Sequence, residues 1–189
     1  AEKPPWSRVI KCTSRGEIDI IPGIWYKKER AETMAYGPEL AKARLVLISH
    51  RENSRNIEGL KDLDKLIVGL VKDYAYPQFF LEADNYTKDI SPNLAANLSK
   101  LARGRIDAAL GDEMVARHTT RQLFEGMIQF RYSKKTLDTK GIFFAVSKAN
   151  PDHRAIIVEF EKVVSEMKTD GTYEAILQKH NIHGLDGAS

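Results

Sequence analysis

The sequence predicts an α/β fold in two lobes, each a mostly parallel sheet flanked by helices. Three observations lead there. A helix–Gly–x–Ile–Asp–strand unit occurs twice, around Gly16 and around Gly104. Short apolar runs alternate with helical patterns, as in parallel strands joined by helical crossovers. Two polar stretches, His50–Arg55 and Ser133–Lys140, stand where a chain could pass from one lobe to the other.

The repeat is the most informative pattern. Ser-Arg-Gly-Glu-Ile-Asp-Ile-Ile-Pro-Gly over 14–23 resembles Ala-Arg-Gly-Arg-Ile-Asp-Ala-Ala-Leu-Gly-Asp over 102–112. In the second copy, Leu94, Ala95, Leu98, Leu101 and Ala102 fall on one face of a helix. Ser91-Pro92 precedes it as an N-cap and a proline at the first helical position. Gly104 suits the left-handed residue after the last turn, and Gly16 plays that part in the first copy. Each unit then enters a short apolar run that reads as a buried strand.

The remaining elements follow in chain order. Helices are expected at 6–14, 27–33, 112–124, 152–169 and 172–179. Strands are expected at 44–49, 66–71 and 141–147, all runs rich in Val, Ile, Leu or Phe. The helix after Pro151 is the clearest, with Ile156, Ile157, Phe160, Val163, Val164 and Met167 as one stripe and Gly171 beyond its end. Residues 1–49 and 141–189 then form a discontinuous first lobe and 56–132 the second. The stretches 50–55 and 133–140 are the hinge crossovers.

Composition narrows the function. Of 189 residues, 42% are hydrophobic and 29% charged, a globular balance. No apolar run approaches the roughly 18 residues of a membrane span. The opening Ala-Glu-Lys-Pro-Pro-Trp lacks the apolar core of a signal peptide, so a signal removed from the mature chain or an artificial start is expected. The net charge is +3, but Lys and Arg are interleaved with Asp and Glu. A nucleic-acid partner is not expected from that spread. Cys12 is the only cysteine, so no internal disulfide can form.

Several segments together resemble a known family. Pro5-Trp6 opens the first helix. Gly23-Ile24-Trp25-Tyr26-Lys27-Lys28-Glu29-Arg30 is similar to a Gly-x-Thr-x-Thr-x-Glu-Arg segment. Val68-Gly69-Leu70-Val71, Gly104-Arg105-Ile106-Asp107-Ala108 leading to Asp112, Gly141–Val146 with Asn150-Pro151, and Asp170-Gly171-Thr172-Tyr173 follow in order. In this order they resemble the bacterial extracellular solute-binding proteins of the polar-amino-acid type, receptors of ABC importers. The resemblance implies a periplasmic-binding-protein-like fold and a periplasmic or extracellular location. It implies a small carboxylate-bearing ligand captured between two lobes, an ABC permease as partner, and no cofactor. It also implies that a strand–helix–strand preceding Trp6 is absent here, leaving the first lobe incomplete. A strand-exchanged or partner-covered oligomer is expected from such a gap.

Site residues are carried over position by position. Arg30 matches the α-carboxylate-binding arginine, whose planar guanidinium suits a bidentate pair. Read without the resemblance, Arg30 is a solvated residue among Lys27, Lys28, Glu29 and Glu32. Asp112 matches the residue that binds the α-amino group, and Asp there is equally a helix N-cap. Trp6 matches an aromatic that packs on ligand, with core packing as the alternative. Gly23 and Trp25 lie on the same segment as Arg30, and Trp25 replaces a threonine that helps hold the carboxylate. Tyr74 and Ala75 fall where relatives have a Gly-Thr-rich helix entry. These departures point to a ligand that is flatter, smaller or aromatic.

An enzyme is not expected. The sequence has no Gly-x-Ser-x-Gly, no phosphate-cradling glycine loop and no His-Glu-x-x-His. Cys12 is read as packing rather than a nucleophile. His180-x-x-His183 has helical metal-ligand spacing but sits beside Gly184 near the end, and no metal is expected. Asp19 and Asp107 are read as equivalent structural positions. The rival readings are a ligand-sensing domain and a degenerate interaction module of the same fold.

Overall fold

A computed structural model describes residues 4–125, 129–180 and 182. The chain divides into two compact units. Residues 8–43 with the chain from 140 onward make unit 1, and 5–7 with 44–139 make unit 2. The passages fall at Ala43/Arg44 and Thr139/Lys140, inside long strands. The first of them precedes the polar stretch 50–55, whose residues lie in unit 2. A strand that continues from one unit into the next needs no polar linker, so composition does not mark it.

Unit 1 begins with α1 (Trp6–Ser14), whose later residues belong to it. β1 (Ile20–Trp25), a 3₁₀ turn (Lys28–Glu32) and the first part of β2 (Met34–His50) follow. The unit is completed by most of β7 (Asp138–Ser147), then α5 (His153–Thr169) and α6 (Thr172–Lys179). Its strands lie in the order β1-β7-β2. β1 pairs antiparallel with β7, Ile20 opposite Val146 and Trp25 opposite Ile142. Ile21, Ile24, Met34, Ala145, Val146 and Val164 are buried. The Phe144 and Phe160 rings stack 3.8 Å apart. The Tyr173 hydroxyl of α6 donates to the Leu40 carbonyl on β2. β1 is the edge of this order, and Pro22 with a register shift between Ile21 and Ile24 blunts it. That edge gives strand exchange no support.

Unit 2 holds the rest of β2, β3 (Ile67–Val71), α2 (Gln78–Glu82), β4 (Thr87–Ser91), α3 (Leu94–Ala102), β5 (Ala108–Asp112), α4 (Glu113–Phe124) and β6 (Phe130–Tyr132). β4, β3 and β5 are parallel. β2 joins β5 antiparallel, Leu45 opposite Asp112, and β6 joins β2 antiparallel. Val46, Ile48, Val71, Leu94, Leu98, Leu101, Ile106, Ala109 and Ala116 form one buried cluster between strands and helices. Parallel pairing therefore covers only β4-β3-β5. The pairs β2–β5, β2–β6 and β1–β7 are antiparallel, so the expectation of mostly parallel sheets holds for β4-β3-β5 of unit 2 and not for β1 with β7.

The two repeat copies end their helices alike. Glu17 N donates to Cys12 O at 2.9 Å, and Arg105 N to Lys100 O at 3.0 Å. Gly16 has φ +76° and Gly104 φ +65°, as the left-handed position after a helix requires. Asp107 Oδ2 accepts from Ile67 N at 2.7 Å, and Asp19 Oδ1 accepts from Asn150 Nδ2 at 2.8 Å. Each aspartate thus fastens its strand to a neighbouring segment.

Candidate functional site

In unit 2 the parallel strands β3, β4 and β5 present their C-terminal ends together, the edge where open α/β sheets bind ligands. Asp112 closes β5 and caps α4. Its Oδ1 accepts from Met114 N at 2.8 Å and Val115 N at 3.1 Å. Among the described residues no donor reaches Oδ2. The residue is 4% exposed, and burial raises its carboxyl above the ordinary aspartate range, opposed by the two backbone N–H groups. An ammonium group supplies what such a carboxylate lacks.

The next residue fixes the helix that Asp112 caps. Glu113 is bridged by Arg44 Nη1 at 3.0 Å and by Arg117 Nε at 2.9 Å. Arg44 also donates through Nε to Thr136 Oγ1 at 2.9 Å. Arg117 lies 4.0 Å over the Tyr132 ring. The start of α4 is thereby tied to β2 and to the chain before β7. Sequence reasoning missed Glu113, because its partners Arg44 and Thr136 lie far along the chain.

The loop after β3 carries Tyr74 and Ala75. No helix begins there; α2 starts later, at Gln78 after Pro77. The loop is held instead by Tyr76, whose hydroxyl accepts from Val71 N at 3.0 Å and donates to Leu110 O at 3.1 Å. Burial pushes the Tyr76 phenol far up, so it stays protonated and keeps donating. Tyr74 packs against the buried cluster that contains Leu94 and Ala116. Trp6 meets Tyr74 edge-on, centroids 6.1 Å apart and planes at 79°. Trp6, Tyr74 and Asp112 are thus all in unit 2, the first two in contact.

In unit 1, Arg30 sits on the 3₁₀ turn rather than on an α-helix. It is buried at 7% exposure while Lys27, Lys28 and Glu29 are exposed, so it is not a solvated member of that run. Its Nη1 donates to Trp25 O at 3.1 Å. Trp25 therefore holds the guanidinium through its backbone, which any residue there could do. Gly23 is exposed on the blunted part of β1. Tyr36, which sequence reasoning did not select, stands beside Arg30. Burial raises its phenol, and the Arg30 charge opposes that rise. Its ring contacts Tyr26 at 5.0 Å and Phe143 at 5.9 Å. Cys12 carries Glu17 beside it, and their hydrogen bond pushes the thiol up, against thiolate chemistry. His183 lies outside the described residues.

The family model of bacterial extracellular solute-binding proteins, family 3, matches residues 2–183. The chain belongs to that family. Its family 3 membership places it among binding proteins. Solved structures agree in fold at low identity. A mutant of ArgBP from T. maritima is 20% identical with TM-score 0.78, over 95% of this chain and 75% of that one. A histidine kinase sensor domain with similarity to periplasmic binding proteins is 20% identical with TM-score 0.80, over 95% and 77%. The substrate-binding protein of an amino acid ABC transporter is 18% identical with TM-score 0.76, over 94% and 77%. No curated protein matches the chain by sequence. Among the described residues of this family 3 chain, no helix is long and apolar enough to cross a membrane.

Proposed function

We propose that this chain captures a small amino acid or related carboxylate for an ABC importer, in the periplasm or outside the cell, without catalysing a reaction. The observation that carries the reading is Asp112, a buried carboxylate with one oxygen committed to the α4 cap and the other open to an ammonium group. Arg30, buried on a turn, supplies the opposite charge for the ligand carboxylate.

Calorimetry with a library of amino acids and small acids tests the reading. Arg30→Ala and Asp112→Asn are each expected to weaken binding about 100-fold or more, as loss of one partner of a buried charge pair does. Unchanged affinity in Arg30→Ala sinks the carboxylate assignment. A second reading, a ligand-sensing domain, is favoured by the similarity in fold to the histidine kinase sensor domain. Ligand-dependent transport by a partner permease separates the two.

A further inference from the structure

We propose that Arg44 is a positioning residue for ligand binding: it holds Glu113 against the sheet, and through Glu113 the turn of α4 that orients the Asp112 carboxylate. The inference rests on the reading of Asp112 as the ammonium-binding group, and it adds a residue that acts through others. Four links, all within unit 2, carry it. First, Oδ1 of Asp112 is spent on the N–H groups of Met114 and Val115. The carboxylate therefore follows the first turn of α4, and so does the direction of Oδ2. Second, Glu113 opens that turn, between Asp112 and the two donors. Each of its oxygens takes a guanidinium, Oε1 from Arg117 Nη2 at 2.6 Å and Oε2 from Arg44 Nη1 at 3.0 Å. Arg117 belongs to α4, so its bond moves with the helix. The Arg44 bond crosses from the helix to the sheet.

Third, Arg44 is itself held from two more sides. Its Nε donates to Thr136 Oγ1 at 2.9 Å and its Nη2 to Lys134 O at 3.3 Å. A planar guanidinium bonded in three directions keeps one orientation. Fourth, that support is fastened to β2. Ser133 N donates to Leu47 O at 2.8 Å, Leu47 N to Ser133 Oγ at 3.1 Å, and Leu137 N to Leu45 O at 2.9 Å. Leu45, the residue after Arg44, is in turn the register partner of Asp112. Bonds thus run without a gap from the sheet through Arg44 and Glu113 to the helix start that Asp112 caps. An ion pair as exposed as this one, 35% at Arg44 and 17% at Glu113, adds little to global stability. Its loss is expected to show at the α4 start and in binding, not across the unit.

The test pairs calorimetry of the full chain against each of the twenty amino acids with amide hydrogen exchange of the free protein. Arg44→Ala is expected to weaken the amino acids that the wild type binds about 10-fold, and Glu113→Ala likewise. The double variant is expected to lose no more than either single one. Arg44→Lys keeps a cation for Glu113 and serves if the alanine variant fails to fold; it is expected to lose less. In the free protein, Arg44→Ala is expected to speed exchange of the Met114 and Val115 amides about 10-fold and to leave those of Leu98 and Ala109 unchanged. Affinity unchanged in both Arg44 variants overturns the proposal. So do losses that add in the double variant, or exchange that quickens equally at all four amides, the mark of a merely structural role. Those results leave the Asp112 reading standing. Binding that survives Asp112→Asn, or a wild type that binds none of the twenty, overturns both.

Discussion

The two Gly-x-Ile-Asp copies start alike and finish differently. Gly16 and Gly104 share the left-handed backbone, and their helices end on the same hydrogen bond from the following residue. Beyond that point the copies part. β5 runs parallel to β3, whereas β1 runs antiparallel to β7. The local sequence sets the cap; the neighbour sets the pairing. The surroundings of the glycines differ too. A Cβ on Gly16 would lie 2.8 Å from the Ala149 Cβ, while one on Gly104 would meet nothing within 4 Å.

That difference predicts the largest effect. Gly16→Ala is expected to destabilise unit 1 by about 2–4 kcal/mol, left-handed strain plus overpacking against Ala149. Urea unfolding measures it. A cost no larger than that of the matching change at Gly104 would show that the chain after β7 yields to the new methyl.

The fold was legible in the sequence where the signal is local. The stripe of α5 is half-buried at Ile156, Ile157, Phe160 and Met167 and buried at Val164, although Val163 is 41% exposed. β2 was legible only over its apolar second half, because Gly37-Pro38-Glu39 and Lys42 interrupt its first half. β4 reads Thr-Lys-Asp-Ile-Ser, a polar edge strand that composition assigns to a loop. β6 and the short α2 were missed for the same want of length. At the site, Asp112 was legible as a helix cap, and the structure shows that cap through Met114 and Val115; its role toward a ligand belongs to the proposal. The contact of Trp6 with Tyr74 joins positions far apart in the chain, and no spacing rule reports it.

Each unit also has a buried hydroxyl that ties backbone together. In unit 1, Ser147 Oγ donates to Thr13 O at 2.6 Å. In unit 2, Tyr76 bridges the ends of two strands, whereas the second bond of Ser147 Oγ, accepted from Ala149 N at 3.3 Å, stays within its own turn. Tyr76→Phe leaves the Val71 N–H and the Leu110 carbonyl without that partner and is expected to cost about 1–3 kcal/mol. Ser147→Ala is expected to cost less. Thermal melts of the two variants in parallel compare them, and the opposite order would reverse the ranking of the two ties. Gly104→Ala comes next, at about 1 kcal/mol, because only the left-handed backbone resists it.

The smallest effect concerns Asp112→Asn in the absence of ligand. Asparagine caps a helix as well as aspartate does, so the mean change is expected to be a few tenths of a kcal/mol. Its pH dependence carries the information. Burial raises the folded-state pKa of Asp112 above its unfolded value. Between those two values the native chain holds a proton that the unfolded chain has released. Wild-type stability therefore falls as pH rises through that window, and the asparagine variant lacks this slope. The advantage of asparagine should grow with pH up to the raised value and then stay level. Chemical denaturation across acid to neutral pH measures it. The start of α4 favours the charged form through the Met114 and Val115 N–H groups, so an opposite slope would mean that the cap outweighs burial. A ligand ammonium on Oδ2 adds to the cap and pulls the pKa down. Adding ligand should therefore flatten or reverse the wild-type slope and leave the asparagine variant unmoved.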